Sequence, residues 1–527
     1  MDAVLRAGDD GGGSPSRSRD RTRSVFDHWI FGSDPRLGAV GLAVSGVLIV
    51  SYFLYFTHLS TSAYRGYGYG TFDLGFYDQG IWLLSRFHAP DVTLMGRNLF
   101  GDHAQFSLFA LVPFYWIRPD ASTLLAVQAL VMAAGAIPVY LLAIRRALGP
   151  LAATVFVAAF LLHPALAQTN LENYHPDSFL IPLLGFAIYA ALERRTRLFV
   201  VCCALALLCK EDAAAVVLPL ALWYAWRRDR RVGGAIVGAS IAVAFADTAI
   251  VMRVLSGVST RNAYRIPFSA CARACSVTRH MSDFVKTVVT KPATVVRYVV
   301  AGDRPNGRPF YVWQMIAPTG LAFLVAPEVA ATVVLALAVN VFSTFGYQHQ
   351  IGFHYSMELL PGLMMGTVYA VSRVRAGRRR VLLVALVGLS ALASAYMWGP
   401  LPFSRYGPAA HWSPASAAAA GVDRVVAQIP AGAVVATYDQ FAPHVDHREH
   451  VYLWPTPFFA SHWKLFAQEG QRLPEADTVE YLLLPPRLAD HPTVFDSIKA
   501  DFVEVARAED AHGLGAVLYR RVSRGSS

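Results

Sequence analysis

The chain has 527 residues, of which 55% are hydrophobic and only 16% are charged. Soluble domains carry about 25% charged residues, so this composition excludes an ordinary soluble protein and indicates a membrane protein. The net charge of +10 does not indicate nucleic-acid binding, because the basic residues form short clusters between hydrophobic runs rather than a continuous stripe.

The first predicted element is a basic tail, residues 1–37, which is rich in Gly, Ser and Arg and lacks apolar periodicity. We expect this tail to be disordered. Its arginines precede the first hydrophobic run, and further basic clusters such as Arg145-Arg146 and Arg378 to Arg380 lie between later runs. The positive-inside rule places these clusters in the cytoplasm. The sequence therefore predicts a multi-pass plasma-membrane protein with a cytoplasmic N-terminus and an outer C-terminal part.

Residues 38–398 are predicted to form an α-helical polytopic membrane domain of about eleven transmembrane helices, interrupted by large outer loops at 58–121 and 255–311. The segment Phe106 to Ile117 is apolar but short, which favours a re-entrant or interfacial helix. Cys271 and Cys275 lie in the second loop, where a disulfide is permitted, although their spacing disfavours one within a helix. The predicted spans lie near 38–57, 122–143, 150–168, 177–192, 197–210, 213–226, 232–254, 312–326, 328–346, 355–372 and 381–398.

Residues 399–527 are predicted to form a small extracytoplasmic α/β domain. Pro400, Pro402 and Pro408 open a linker, after which charge rises and the apolar runs shorten. Helical spacing and short β-branched runs then follow one another. The helix is predicted over 422–429 and the strands over 433–437, 451–454, 481–484 and 516–520.

Under this topology the acidic and histidine-rich motifs all fall on the outer face. Carboxylates at a bilayer edge are costly unless a ligand, an ion or water meets them, so these motifs indicate a site. Asp73 and Asp78 are the candidate catalytic residues, in the first outer loop. The candidate substrate-binding residues are Asp102, His103, Glu172, His175, Asp177, Lys210, Glu211, Asp212, His349, His354 and Tyr355.

The chemistry of these residue types suits a lipid-phosphate sugar donor. A carboxylate can act as general base on an acceptor hydroxyl, and a nearby cation such as Lys210 can neutralise a departing phosphate. Structural alternatives remain for each motif: Asp73 could cap a helix, and Lys210 could simply pair with Glu211 or Asp212. An acid pair such as Asp73 and Asp78 could hold Mg²⁺ or Ca²⁺, but the sequence identifies no ligand set for a metal.

On these motifs the chain resembles a bacterial family of multi-span proteins of unknown function that is frequent in actinobacteria and cyanobacteria. Tyr174 and Asp177 stand where that family more often has Phe and Glu. The family is similar to the C-type glycosyltransferases, which are polytopic enzymes with polyprenyl-phosphate sugar donors and a catalytic Asp in the first outer loop. The resemblance implies that fold and maps the catalytic acid to either Asp73 or Asp78. The matching runs are Phe72–Trp82, Gly101–His103, Asn170–Asp177, Lys210–Asp212, Pro443–Arg448 and Val451–Pro455.

The leading hypothesis is a membrane glycosyltransferase that moves a sugar from a polyprenyl-phosphate donor to a cell-envelope glycan, lipid or protein on the outer face of the bilayer. The first alternative is a transporter or flippase, which would use ionisable residues within spans, such as Asp247 and Arg253. The second alternative is a non-catalytic envelope scaffold.

Overall fold

A computed structural model describes residues 35–256, 267–268, 277–300, 307–405, 407, 417–461 and 468–522. The predicted basic tail lies outside the described residues except for 35–37. Cys271 and Cys275 also lie outside them, so their pairing stays open.

Most of the described chain before residue 399 is helical. The α-helices are α1 Pro35–Arg65, α2 Phe76–Ser85, α3 Leu99–Asp102, α4 Val112–Ile117, α5 Ala121–Ala134, α6 Ala136–Arg145, α7 Pro150–Leu161, α8 Pro164–Glu172, α9 Leu180–Leu192, α10 Thr196–Leu207, α11 Ala214–Arg227, α12 Arg230–Ala246, α13 Met252–Ser256, α14 Val277–Thr290, α15 Pro292–Val300, α16 Arg308–Ile316, α17 Val334–Phe342, α18 Leu360–Arg373, α19 Arg378–Trp398, α20 Ala417–Val426 and α21 Pro492–Ile498.

Within the described ranges, four helical segments are long and apolar enough to cross a membrane: α1, α5 with α6, α12 with α13, and α19. A fifth span exists if α7 and α8, which are bent by 41° relative to each other, cross as one. The bend falls at Pro164, which has no N–H to continue the helix. The multi-span helical architecture is thus confirmed, whereas the predicted number of eleven spans stays a prediction.

Helix α1 shows why these segments belong in lipid. Its side chains Leu42, Val47 and Leu54 are all exposed, and only 17% of its most apolar window is buried inside the protein. A stripe of large apolar side chains facing water would be unfavourable, whereas hydrocarbon solvates it readily. The segment Phe106–Ile117 forms a short apolar helical stretch, well under the length of about 20 residues that a span needs.

The C-terminal part contains a five-stranded sheet with the order β4-β3-β5-β7-β6. Strand β3 pairs in parallel with β4 and β5, while β7 runs antiparallel to β5 and β6. Four strands overlap the predicted strand patterns, but β6 was not predicted, since its outward residues break the apolar pattern. The bounds are β3 Val435–Thr437, β4 Val451–Leu453, β5 Tyr481–Leu484, β6 Phe502–Glu509 and β7 Gly515–Arg521, and a separate hairpin has β1 Asp91–Val92 and β2 Arg97–Asn98.

The sheet-bearing part packs directly on the first long loop. The Thr71 N–H donates to Asp439 Oδ1 at 2.9 Å, and the Tyr64 hydroxyl donates to the Pro443 carbonyl at 3.2 Å. Apolar side chains from both parts share one core, which includes Leu74 and Phe441. The loop and the C-terminal part therefore lie at the same end of the helical bundle.

The hydroxyl of Thr93 links the first loop to the C-terminal part, and its removal tests the packing between them. It donates to the Val451 carbonyl at 2.6 Å and accepts from the Val451 N–H at 3.0 Å and from Gln79 at 2.9 Å. Thr93→Val keeps the shape but leaves these groups unsatisfied, so we expect a loss of about 1–3 kcal/mol in the stability of the packed loop. Thermal unfolding and limited proteolysis would measure it. The control Thr93→Ser keeps the hydroxyl and should behave like wild type; equal stability of both variants would contradict the assigned role.

Candidate functional site

Asp73 occupies an unusual backbone conformation. It has φ 64° and ψ −76°, whereas Phe72 before it is extended. Positive φ is uncommon for a residue other than glycine, and such strain clusters at functional sites. The turn is held in place from outside, because Asp439 accepts from the Thr71 N–H. A Cβ at Gly70 would clash with that same carboxylate, which explains the glycine.

The turn brings Asp73 to a histidine pair. His175 Nε2 lies 3.7 Å from Asp73 Oδ2 and 2.7 Å from Glu172 Oε2. The His175 ring is 3.8 Å from that of His354, centroid to centroid. Burial raises the pKa of Asp73 to about 7, although His175 acts in the opposite direction. Burial by itself lowers the pKa of His175. The carboxylates of Asp73 and Glu172 together have the larger effect, so the pKa is raised overall.

His103 forms a second acid–base pair close by. Its Nδ1 lies 2.6 Å from Glu211 Oε1, and the Ala104 N–H donates to the other oxygen of Glu211 at 3.3 Å. Burial lowers the pKa of His103, but Glu211 and Asp102 overcome this and raise it to about 9. His103 is therefore a cation at neutral pH. Asp102 is itself paired with Arg97.

Lys210 is almost fully buried, and its ammonium meets two carboxylates. Its Nζ lies 2.9 Å from Asp177 Oδ1 and 3.3 Å from Asp212 Oδ2. Burial lowers the pKa of Lys210, yet Asp177 and Asp212 raise it well above its ordinary value. Of the two alternative partners considered for Lys210, Asp212 is within ion-pair distance, whereas Glu211 pairs with His103. The Tyr355 ring lies beneath the ammonium, 5.5 Å from Nζ to the centroid.

The structure thus brings most of the predicted substrate-binding residues into one cluster, which we call the acidic cluster. It comprises Asp73, Asp102, His103, Glu172, His175, Asp177, Lys210, Glu211, Asp212, His354 and Tyr355. His354 joins it through its ring contact with His175, and Tyr355 joins it through its ring beside the Lys210 ammonium.

Sequence reasoning missed one member of this neighbourhood, Glu358. Burial raises its pKa well above the ordinary value, and Asp212 adds to the rise while Lys210 opposes it. The available signal was its position: Glu358 is a carboxylate four residues after His354, at the entry to an apolar helix, in a segment that forms a 3₁₀ helix in the structure.

Two cavities flank the acidic cluster. The first measures about 460 Å³. One part of its lining, the charged end, consists of His103, Lys210, Glu211 and Asp212. Another part, the apolar wall, includes Phe284, Leu335 and Phe342. The second cavity measures about 800 Å³ and is lined by Glu172, His349, Gln314 and Arg405 among others. His349 thus lies at the second cavity, which Glu172 also lines.

Asp78 lies in different surroundings from Asp73, although only four residues separate them. Its side chain is fully buried in helix α2. Its Oδ1 accepts from the Tyr115 hydroxyl and lies 3.0 Å from His447 Nε2 in the C-terminal part. The two candidate acids therefore face different partners, a distinction that their motif alone did not make.

One group within the acidic cluster has the donors for a metal ion. Glu172, His175 and His354 each offer one ligand atom, and these atoms lie within 4.8 Å of one another. Two imidazoles with one carboxylate suit a divalent transition metal such as Zn²⁺. Binding of Mg²⁺ or Ca²⁺ by Asp73 together with Asp78 stays a prediction. In the structure these two acids contact different residues.

The comparisons with known proteins agree with this architecture. A family model described as "Predicted membrane protein (DUF2079)" matches residues 68–494, and the chain belongs to that family. The crystal structure of ArnT from Cupriavidus metallidurans in the apo state is similar, with a TM-score of 0.50 and 13% sequence identity, over 92% of this chain and 98% of that chain. At this identity the likeness shows the fold alone, and it agrees with the predicted helical, polytopic membrane architecture. No curated protein matches the chain.

The ion pair between Lys210 and Asp177 should dominate the stability of the acidic cluster. Removing one partner of a buried pair leaves an uncompensated charge, so Asp177→Asn should cost about 3–5 kcal/mol of unfolding free energy. Asp212→Asn should cost much less, because the Asp212 side chain is 40% exposed against 8% for Asp177. Thermal unfolding of both purified variants measures this. A larger loss in Asp212→Asn would contradict the assignment of Asp177 as the main partner.

Proposed function

We propose that this member of the DUF2079 family is a membrane glycosyltransferase that moves a sugar from a polyprenyl-phosphate donor to a cell-envelope acceptor on the outer face. The observation that carries the proposal is the smaller cavity, which joins a charged end to an apolar wall within one partly open space. A lipid phosphate has the same division into a charged head and a hydrocarbon chain. The fold shared with ArnT supports this class of enzyme.

The prenyl chain would lie along the apolar wall, which includes Leu335, Val339 and Phe342 of helix α17. Burying hydrocarbon there releases about 25 cal/mol per Å² of apolar surface. This wall adjoins helices that are exposed to lipid, since Val339 belongs to the cavity and to the exposed apolar surface at once. A lipid tail could therefore enter sideways from the bilayer.

The donor phosphate would meet Lys210 and His103, the cations at the charged end. Lys210 keeps its buried partner Asp177 and exchanges the more exposed Asp212 for a phosphate oxygen. This exchange adds a charge-assisted hydrogen bond without leaving the buried carboxylate unpaired. Burial raises the pKa of Asp212 to about 6, which favours its protonation when a phosphate approaches.

Asp73 is the acid that we assign as general base. Its side chain is 18% exposed, whereas that of Asp78 is 1% exposed and already held by Tyr115 and His447. In the proposed reaction the Asp73 carboxylate takes the acceptor hydroxyl proton, and the acceptor oxygen forms a bond to the anomeric carbon of the sugar. The bond from that carbon to the phosphate oxygen breaks, and polyprenyl phosphate leaves.

The larger cavity suits the acceptor. It reaches the acidic cluster at Glu172, whose carboxylate bonds His175 beside Asp73. An acceptor hydroxyl entering from that side would approach the base opposite to the donor cavity. Amide and guanidinium groups of Gln168, Gln314 and Arg405 line this cavity, and such groups hydrogen-bond polyhydroxylated ligands.

The direct test is transfer by the purified protein in detergent or liposomes. A panel of radiolabelled polyprenyl-phosphate sugars would be offered with envelope extracts as acceptors, and the label would be followed into product. Label that only crosses the liposome bilayer would indicate a flippase. Label that binds without transfer or movement across the bilayer would indicate a scaffold.

If Asp73 is the base, Asp73→Asn should lower the transfer rate by about 10²–10⁴-fold, because the amide keeps the shape but accepts no proton. Donor binding should persist, since Lys210 and His103 remain. The matched control is Asp496→Asn. Asp496 lies on helix α21, and its exposed carboxylate pairs with Lys499. Wild-type rates in Asp73→Asn would remove Asp73 from the mechanism.

The pH dependence of transfer follows from the raised pKa of Asp73, about 7. The base must be ionised, so the rate should fall as the pH is lowered through about 7 and level off above it. Because His175 lowers the pKa of Asp73, His175→Gln should move the midpoint of the profile to higher pH. A flat rate between about pH 6 and pH 8 would be inconsistent with this base.

A further inference from the structure

A second group of acids and a histidine lies away from the acidic cluster, where the first loop meets the C-terminal part. Asp78 comes from helix α2, and Asp446 and His447 follow the turn Asp439–His444. Each of the three offers one ligand atom, and these atoms lie within 4.8 Å of one another. Sequence analysis singled out Asp78 and the run Pro443–Arg448 separately, but no sequence pattern joins them, because Asp78 and His447 are 369 residues apart.

The two carboxyl groups are buried in a way that calls for a positive partner. Asp78 is 0% exposed and Asp446 is 1% exposed. Among the residues that the structure describes, Asp78 Oδ2 and Asp446 Oδ2 are both buried and accept no hydrogen bond from a donor group, and the two carboxyl groups lie within hydrogen-bond reach of each other. A buried carboxylate oxygen without a partner is unfavourable by several kcal/mol, and two that face each other are worse.

The neighbouring cations do not fill this role. Arg448 directs its guanidinium to the carbonyl of Ala433, at 2.9 Å. His447 lies 3.0 Å from Asp78 Oδ1 but 4.0 Å from Asp446 Oδ1, so one oxygen of each carboxyl group still faces the space between them.

We propose that Asp78, Asp446 and His447 bind a divalent transition-metal ion, and that this ion fastens the first loop to the C-terminal part. Two carboxylates and one neutral imidazole carry a charge of −2, which balances the ion. A ring nitrogen in the set favours Zn²⁺ and similar metals over Mg²⁺ and Ca²⁺, which prefer oxygen ligands.

The surroundings have three further features of a metal site. Zinc ligand atoms stand about 3.4 Å apart around an ion bound at about 2.1 Å, and the ligand atoms here need only small shifts to reach that spacing. The Tyr115 hydroxyl donates to Asp78 Oδ1, as outer groups commonly do to orient a ligating carboxylate. The His447 side chain is 29% exposed, which gives an ion a path of entry and leaves room for a water ligand.

The experiment uses the full-length protein purified in detergent, stripped with EDTA, loaded with Zn²⁺ and freed of excess metal. Bound zinc would be measured by inductively coupled plasma mass spectrometry and the unfolding temperature by scanning fluorimetry. Because Glu172, His175 and His354 form another group with suitable donors, all measurements would also be made on a Glu172→Gln/His175→Gln variant. In this double variant, the zinc ligands under test are Asp78, Asp446 and His447.

In this background we expect one tightly held zinc ion per chain and a rise of several degrees in unfolding temperature on adding Zn²⁺, but none on adding Mg²⁺, because an ion that binds only the folded state stabilises it. Adding Asp446→Asn or His447→Gln should abolish both the bound zinc and the zinc-dependent rise. Both substitutions are close in shape to the native residue. The unfolding temperature with Zn²⁺ is compared with that without Zn²⁺ for the same variant, so a general loss of stability would not be mistaken for a loss of zinc binding. No bound zinc in the background variant, or equal zinc in the variants with Asp446→Asn and His447→Gln, would overturn the proposal and leave a carboxyl pair that shares a proton.

Discussion

The arrangement of the site depends on the burial of Lys210 at the end of the helical bundle. An ammonium that is 2% exposed is tolerated only beside carboxylates, and Asp177 supplies one at 2.9 Å. This requirement fixes the segment before helix α9 against the segment before helix α11. Glu211 then faces away from Lys210 and meets His103, so the first loop is drawn to the same place. One buried charge thus organises three connections of the chain.

The C-terminal part completes the site from the other side. Asp439 holds the Thr71 N–H and so fixes the turn in which Asp73 adopts its positive φ. Asp73 therefore takes its position from a segment more than 300 residues away. This long-range support gives a physical reason for one chain to carry both a membrane bundle and a small sheet: the sheet-bearing part positions an acid that the loop alone would leave mobile.

Much of the site could be predicted from the sequence because polar residues in an apolar chain stand out. Asp102-His103, Glu172 to Asp177, Lys210 to Asp212 and His354-Tyr355 were all singled out, and they meet in one cluster. It was harder to predict which of these residues pair with each other, because pairing depends on distances in the folded structure. Glu211 and Asp212 were the alternative partners considered for Lys210, and Asp212 does lie 3.3 Å from its Nζ, but the closest carboxylate is that of Asp177. The choice between Asp73 and Asp78 required the backbone turn at Asp73, which no residue pattern reveals, and the contact of Asp78 with His447 joins distant parts of the chain.

The most direct measurement of the central claim is where a lipid phosphate binds. A photoreactive polyprenyl phosphate would be crosslinked to the purified protein, and the labelled peptides identified by mass spectrometry. The account predicts label on the apolar wall of the smaller cavity, at Phe284 and at Leu335 to Phe342 of helix α17, with loss of that label when unlabelled polyprenyl phosphate competes. Label spread over the lipid-facing surface of helix α1, unaffected by the competitor, would contradict a specific lipid-phosphate site.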